Sequence, residues 1–297
     1  MPTTKSYPIQ QSIVKNFTEI TKIRLSISVV FSSVAGYLLG ASSIDFFILF
    51  LLCLGGYCMV GASNVFNQII ERDLDALMNR TKDRPIPSGR ISIPAAFSIG
   101  SILTIMGIVV LYIINPKTAM FGAISIFMYV SLYTPLKTKT PLSVFVGAFP
   151  GAIPFMLGWV AATDDFGIEA GTLFMIQFFW QFPHFWAIGW FLFDDYKKGG
   201  FFMLPNGKRD KGTAIQIILY CVWTVLASLI PAFHVTGSLE LSLVASVLIG
   251  GIGIWLVYYA GRLIQKKTDK AAKQLMLVSV SYITLLQIIY VADKFIR

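Results

Sequence analysis

Residues 64–90 read NVFNQIIERDLDALMNRTKDRPIPSGR and lie directly behind a long apolar run. Asn67, Glu71 and Asp75 recur at every fourth position, so a helix carries all three on one face, with Asn64 one turn earlier. These side chains offer hard oxygen donors of the kind that hold a divalent cation. Left uncompensated at the mouth of an apolar helix they would be costly. Arg80, Lys82, Arg84 and Arg90 follow in a segment whose path is fixed by Pro85, Pro87 and Gly89. Guanidinium and ammonium groups pair with phosphate oxygens. Carboxylates suited to a cation, beside cations suited to phosphate, point to a diphosphate site. The plainer alternative is a capped helix end followed by a basic loop; Asn64 and Asn67, within membrane-proximal turns, argue against it.

A second cluster, PHFWAIGWFLFDDYKKGGFFMLP, closes a later apolar run. Its Asp194 and Asp195, with Tyr196, Lys197 and Lys198, precede a Gly199–Gly200 break. An Asp-Asp pair before a turn means little alone. Facing Glu71 and Asp75 across a cavity, it becomes the second half of a Mg²⁺–diphosphate clamp. The run is ring-rich (Phe178, Phe179, Trp180, Phe182, Phe185, Trp186, Trp190). Such rings could shelter a carbocation, although most read more simply as lipid-facing or interfacial residues. His184 is one of two histidines and lies mid-run after Pro183; a packing histidine and a substrate-side residue are both open to it. A third segment, YTPLKTKTPLS, offers Lys137 and Lys139 to an anion, or serves only to set topology. Behind it, Gly147, Pro150, Gly151, Pro154 and Gly158 suit a kinked cavity wall or tight helix packing.

The elements that must position these clusters are membrane helices. Hydrophobic residues make up 56% of the 297 and charged ones 13%, with mean hydropathy +0.71. A soluble domain carries about 25% charged residues. Nine apolar runs are long enough to span: about 25–42, 46–66, 93–114, 118–134, 142–162, 171–193, 213–232, 239–260 and 274–292. The first follows a basic segment, but no clean cleavage region precedes the second, so it reads as a span and not as a signal peptide. With the N-terminus cytoplasmic, only Lys117, Lys294 and Arg297 of the 24 lysines and arginines fall on the outer side. The net charge of +9 is therefore a topology signal, and nucleic acid is not an expected partner. The same topology puts 67–92, 135–141, 194–212 and 261–273 on one face. Cys53, Cys58 and Cys221 sit in apolar runs and predict no disulfide framework.

The string Asn67-Gln68-x-x-Glu71-x-x-x-Asp75, followed by Arg80-x-x-x-Arg84-Pro85, resembles the UbiA-type membrane prenyltransferase superfamily. There an Asn-Asp-x-x-Asp-x-x-x-Asp pattern precedes an Arg-x-x-x-Arg-Pro loop. Gln68 and Glu71 depart from that pattern and resemble its haem-farnesylating branch, as do the PHFW and DDYKKGGFFMLP segments. The resemblance implies an all-α bundle of nine transmembrane helices, N-terminus cytoplasmic and C-terminus outside. Residues 1–24 would be a cytoplasmic segment and 25–297 a single prenyltransferase domain. It implies transfer of a farnesyl group from farnesyl diphosphate to a vinyl group of haem B, with water addition, giving haem O. Asn67, Glu71, Asp75, Asp194 and Asp195 would hold Mg²⁺. Asn64, Arg80, Lys82, Arg84, Lys137, Tyr196, Lys197 and Lys198 would meet substrate, with His184 on the haem side. The implied location is a bacterial cytoplasmic membrane, with haem A synthase or terminal-oxidase assembly proteins as further partners. Two rival readings are a relative acting on a quinone precursor or chlorophyll-like ring, and a transporter. Polar residues gathered at one membrane face, instead of mid-membrane, weigh against the transporter.

Overall fold

Helix starts in this chain are written by short polar side chains placed just before apolar runs. Asp45, Ser92, Asn115, Asp210, Ser242 and Thr268 each accept a backbone N–H from the first turn of the next helix. The computed structural model describes residues 12–297, all helix and connection with no strand among them; the rest of the expected 1–24 segment lies outside the described residues. In order these are α1 (Ile13–Ile20), α2 (Ile23–Gly40), α3 (Phe46–Ile70), α4 (Arg72–Leu77) and α5 (Ile93–Ile114). Next, α6 (Pro116–Phe127) runs through a π turn (Met128–Tyr133) into α7 (Thr134–Leu136). Then come α8 (Ser143–Thr163), α9 (Ile168–Phe191), α10 (Phe193–Lys198), α11 (Lys211–Leu229), α12 (Leu243–Lys266) and α13 (Asp269–Ile296).

Eight helices among the described residues are long and apolar enough to cross a membrane: α2, α3, α5, α6 extended through α7, α8, α11 with the turn after it, α12 and α13. The chain is a multi-pass membrane protein. The sequence predicts a ninth span at 171–193, and α9 has the length, 24 residues, but is less apolar. The reason is its place in the bundle. It packs against α8, α11 and α13, so its polar side chains meet protein instead of lipid. Gln181 Nε2 donates to the Ala148 carbonyl at 2.9 Å, and Gln177 Oε1 accepts from Gln287 at 3.3 Å. Several helices also outrun their apolar windows, α3 to Ile70 and α13 from Asp269 to Ile296. Capping and charged residues extend the spiral beyond the stretch that lipid would cover.

α8 is the axis. A Cβ on Gly36 would stand 2.0 Å from the Phe155 carbonyl oxygen, and one on Gly158 would stand 1.9 Å from that of Ser33. The α2 and α8 backbones therefore touch, a crossing open only to glycine. Pro150 and Pro154 lie inside α8 without ending it. Tight packing, and not a break, is what the Gly/Pro pattern encodes.

At one end of the bundle the connections are laced together. Asn79 and Arg80 donate backbone N–H groups to Asp195, Phe202 N–H donates to the Lys137 carbonyl at 2.8 Å, and Arg209 bridges Asp194 and Asp269. The four segments expected on one face therefore do share one end of the molecule.

Candidate active site

The first motif is built where α3 passes into α4. Glu71 bends the helix (φ −91°, ψ 6°), yet its N–H reaches the Asn67 carbonyl at 2.9 Å and Asp75 N–H reaches the Glu71 carbonyl at 2.7 Å. Asn67, Glu71 and Asp75 thus remain successive steps of one spiral, as their spacing predicts. All three are buried, at 2%, 3% and 0% exposure. Buried carboxylates survive only when paired, and each has a cation. Lys137 Nζ lies 2.7 Å from Glu71 Oε1, and Arg84 Nη1 donates to Asp75 Oδ2 at 2.6 Å. Thr81 Oγ1 donates to the Asp75 carbonyl, so the next loop folds back over the motif. Asn67 Nδ2 donates to Thr134 Oγ1 at 3.3 Å.

Thr134 and Lys137 reach this place through the π turn of α6. A π turn widens the spiral by one residue and re-aims the side chains beyond it. Lys137 Nζ also stands 4.5 Å from the centroid of the Tyr133 ring and 5.6 Å from that of Phe201. Burial alone would lower its pKa, but the Glu71 carboxylate outweighs that and holds it above the ordinary lysine value. Lys22, at the foot of α2, behaves oppositely. Burial, with Arg84 and Lys137 nearby, brings it down to about 7 against the opposing pull of Glu71 and Asp75. Nothing in the local sequence singles out Lys22; only the fold returns it to the motif.

The second motif sits at the same end. Asp195 accepts the backbone N–H groups of Asn79 at 2.8 Å and Arg80 at 3.2 Å, and Lys198 Nζ lies 3.3 Å away. Burial works against its charge, but these donors win and hold its pKa below the usual carboxylate range. Asp194 points to the surface and pairs with Arg209 at 3.1 Å. The Arg80 guanidinium lies 5.7 Å from the centroid of the Tyr196 ring. Asn79, Arg80, Phe191, Leu192, Asp194, Asp195 and Lys198 line an open cavity of about 470 Å³. Lys82 and Lys197 are exposed beside it.

Two more predicted site residues, Asn64 and His184, and the motif's Gln68 are placed differently. Asn64 Nδ2 donates to the Thr21 carbonyl and Gln68 Nε2 to that of Ile20, so both amides fasten the α1–α2 turn. His184 stands apart from the rim: its Nδ1 is 2.9 Å from Ser279 Oγ of α13 and its ring stacks on Trp180 at 4.8 Å. Among the described residues no three His, Cys, Asp or Glu side chains converge at metal-ligand spacing. The donor set still suits Mg²⁺. Asp75 Oδ1 is buried without a hydrogen-bond partner, and Mg²⁺ takes one or two carboxylates and completes its shell with substrate phosphates and water.

A buried carboxylate–cation cluster closing one end of an apolar helical bundle is the architecture of an intramembrane prenyl-transfer enzyme. The chain belongs to the UbiA prenyltransferase family, whose model matches residues 29–283. Its relatives include the protoheme IX farnesyltransferases of Christiangramia forsetii, 71% identical over 100% of this chain and 99% of that one, and of Flavobacterium psychrophilum, 66% identical over the full length of both. A solved structure concerned with digeranylgeranylglyceryl phosphate synthase superposes with a TM-score of 0.78 at 19% identity, over 94% of this chain and 98% of that one. A UbiA homologue from Archaeoglobus fulgidus bound to GPP and Mg²⁺ superposes with a TM-score of 0.67 at 13% identity, over 93% and 99%.

Proposed function

We propose that this chain transfers the farnesyl group of farnesyl diphosphate to a vinyl group of haem B, with addition of water, giving haem O and diphosphate. The observation that carries this reading is the buried pairing of Glu71 with Lys137 and of Asp75 with Arg84 at the end of an apolar bundle. The full-length likeness to protoheme IX farnesyltransferases selects the acceptor. Glu71 and Asp75, with Asn67, would hold Mg²⁺ against the diphosphate, while Asp195, with Asp194 beside it, would steady the loop that closes over them. When bound, the ion neutralises charge that builds on the departing diphosphate.

The chain's own residues do the rest. Arg84, Lys137 and Lys22 from within, and Arg80, Lys82, Lys197 and Lys198 from the rim, take the phosphate oxygens. The allylic C–O bond breaks with its electron pair leaving on diphosphate, which these cations stabilise. The ring of Tyr129, whose centroid lies 5.1 Å from that of Tyr133, offers its face to the allylic cation and helps keep water from it. The haem vinyl group attacks, forming a C–C bond. Water then captures the cation beside the porphyrin and loses a proton to leave a hydroxyl. His184, its Nδ1 engaged by Ser279, is assigned the haem side of the chamber.

The same reading takes α9 as the ninth span, residues 25–297 as one domain and 1–24 as a cytoplasmic segment. The site end faces the cytoplasm of a bacterial cell, the C-terminus lies outside, and haem A synthase or terminal-oxidase assembly proteins take the product. Mass spectrometry of haems from a host expressing this chain tests it. A farnesylated haem is expected; unmodified haem B with a prenylated phenolic acid would overturn it.

A further inference from the structure

Helix α1 sits where the chain enters the bundle, and its two sides differ sharply. Ile13, Val14 and Phe17 share one side and point away from the bundle, at 88%, 72% and 36% exposure. The other side is tied down. Glu19 Oε2 lies 2.6 Å from Arg90 Nη2, and Asn16 Oδ1 accepts from Arg90 Nη1 at 2.8 Å. Arg90 also donates to the Asp83 carbonyl, within the loop that carries Arg80 and Arg84. Two turns beyond Ile13 on the same stripe, Ile20 is fully buried in a cluster with Ile86 of that loop and Val65 of α3, so the helix is rooted at its C-terminal end and its first turns carry the apolar edge outward. Thus α1 is anchored to the site-covering loop by its polar edge, while its apolar edge stands clear of the described residues.

We infer that α1 lies in the plane of the membrane at the site end, its Ile13–Val14–Phe17 edge sunk at the boundary between phospholipid headgroups and acyl chains, and that through Arg90 it fixes the loop over the site relative to the bilayer. Two observations choose lipid over any other occupant. The apolar edge continues after a single left-handed residue, Lys22, into Leu25, Ile27 and Phe31, which are exposed on the span α2 and so face acyl chains. The exposed charges flanking it, Lys15 and Arg24, are both basic, while the helix's one acid, Glu19, is held by Arg90. A cationic flank beside an apolar edge matches an anionic headgroup layer. The inference concerns α1 and the bilayer, and holds whatever acceptor the enzyme prenylates.

The test uses the full chain with Cys53→Ala, reconstituted in phosphatidylcholine–phosphatidylglycerol vesicles and carrying a nitroxide on Val14→Cys. A parallel sample carries the label on Ile13→Cys, and Asp83→Cys, in the loop, reports water. At positions 13 and 14 collisions with oxygen should exceed those with a water-soluble nickel chelate, with the reverse at 83. Pure phosphatidylcholine should make positions 13 and 14 shallower. Labels at 13 and 14 as open to the chelate as the label at 83 would overturn the inference. So would dipolar broadening between labels on two copies, which would put a second protein molecule on this edge.

Discussion

The two acidic motifs look alike as strings, carboxylates at a helix end followed by lysines and arginines, but the fold treats them differently. Glu71 and Asp75 are almost fully buried and locked to Lys137 and Arg84. Asp194 and Asp195 lie nearer solvent, and Asp195 spends its oxygens on the backbone of residues 79 and 80. Taking two charges out of water is expensive, and an ion pair replaced by apolar residues is often no loss in stability. A buried pair that persists beside an unsatisfied Asp75 Oδ1 is therefore better explained by a ligand than by folding. The outer motif instead shapes the loop that roofs the inner one.

That contrast orders the expected effects. Asp75→Asn leaves Arg84 buried without a counter-charge and removes a cation ligand, so turnover should fall by about 10² to 10³. Diphosphate release by the purified, still-folded variant measures this, and near-normal turnover would erase the distinction between the motifs. Next is the pH dependence of Lys22. Its pKa of about 7 means that it is largely neutral in the empty site above pH 7. Binding an anion favours its charged form, so binding takes up a proton and weakens as pH rises. KM for the prenyl diphosphate should climb by up to about tenfold per pH unit above 7. Lys22→Arg, charged throughout, should flatten the slope; an unchanged slope would free Lys22 from the diphosphate.

Smaller still, Asp195→Ala strips the acceptor from two loop N–H groups and should cost about tenfold in kcat/KM. The loss should be accompanied by faster proteolysis between residues 78 and 92, which a pure metal ligand would not cause. Asp194→Asn should change activity by no more than about twofold, because its exposed pair with Arg209 is screened by water and salt. A loss equal to that at Asp75 would place Asp194 in the inner shell and make the two motifs equivalent.

Eight of the spans and the helical spacing of the first motif were readable because their signals are local. Apolar runs, caps before them and a four-residue spacing are all contained within one helix. What could not be read depends on partners far along the chain. Lys137 stands 66 residues from Glu71 in sequence, and its aim depends on a π turn written in MYVSLY, a string with no glycine or proline to announce it. Lys22 resembles any basic residue that sets topology. Asp194 and Asp195 are neighbours, yet successive helical positions point about 100° apart, so one meets the loop and the other Arg209. Asn64 reads as a substrate-side amide and Gln68 as a departure from the family motif, and the fold ties both to the carbonyls of a turn more than 40 residues upstream.

The widened turn in α6 fixes more than an orientation. Drawing all six residues from Met128 to Tyr133 into ordinary α pitch is a change the bilayer would tolerate. Yet every side chain beyond it would swing by about 100°, and the ammonium now held against Glu71 would sweep away from it. The pitch of this stretch is thus set by chemistry some distance downstream: deleting one of its six residues should leave ordinary α-helix with the register beyond it and the Lys137–Glu71 pair kept, whereas inserting one residue between Tyr133 and Lys137 should spare the bundle while silencing the enzyme.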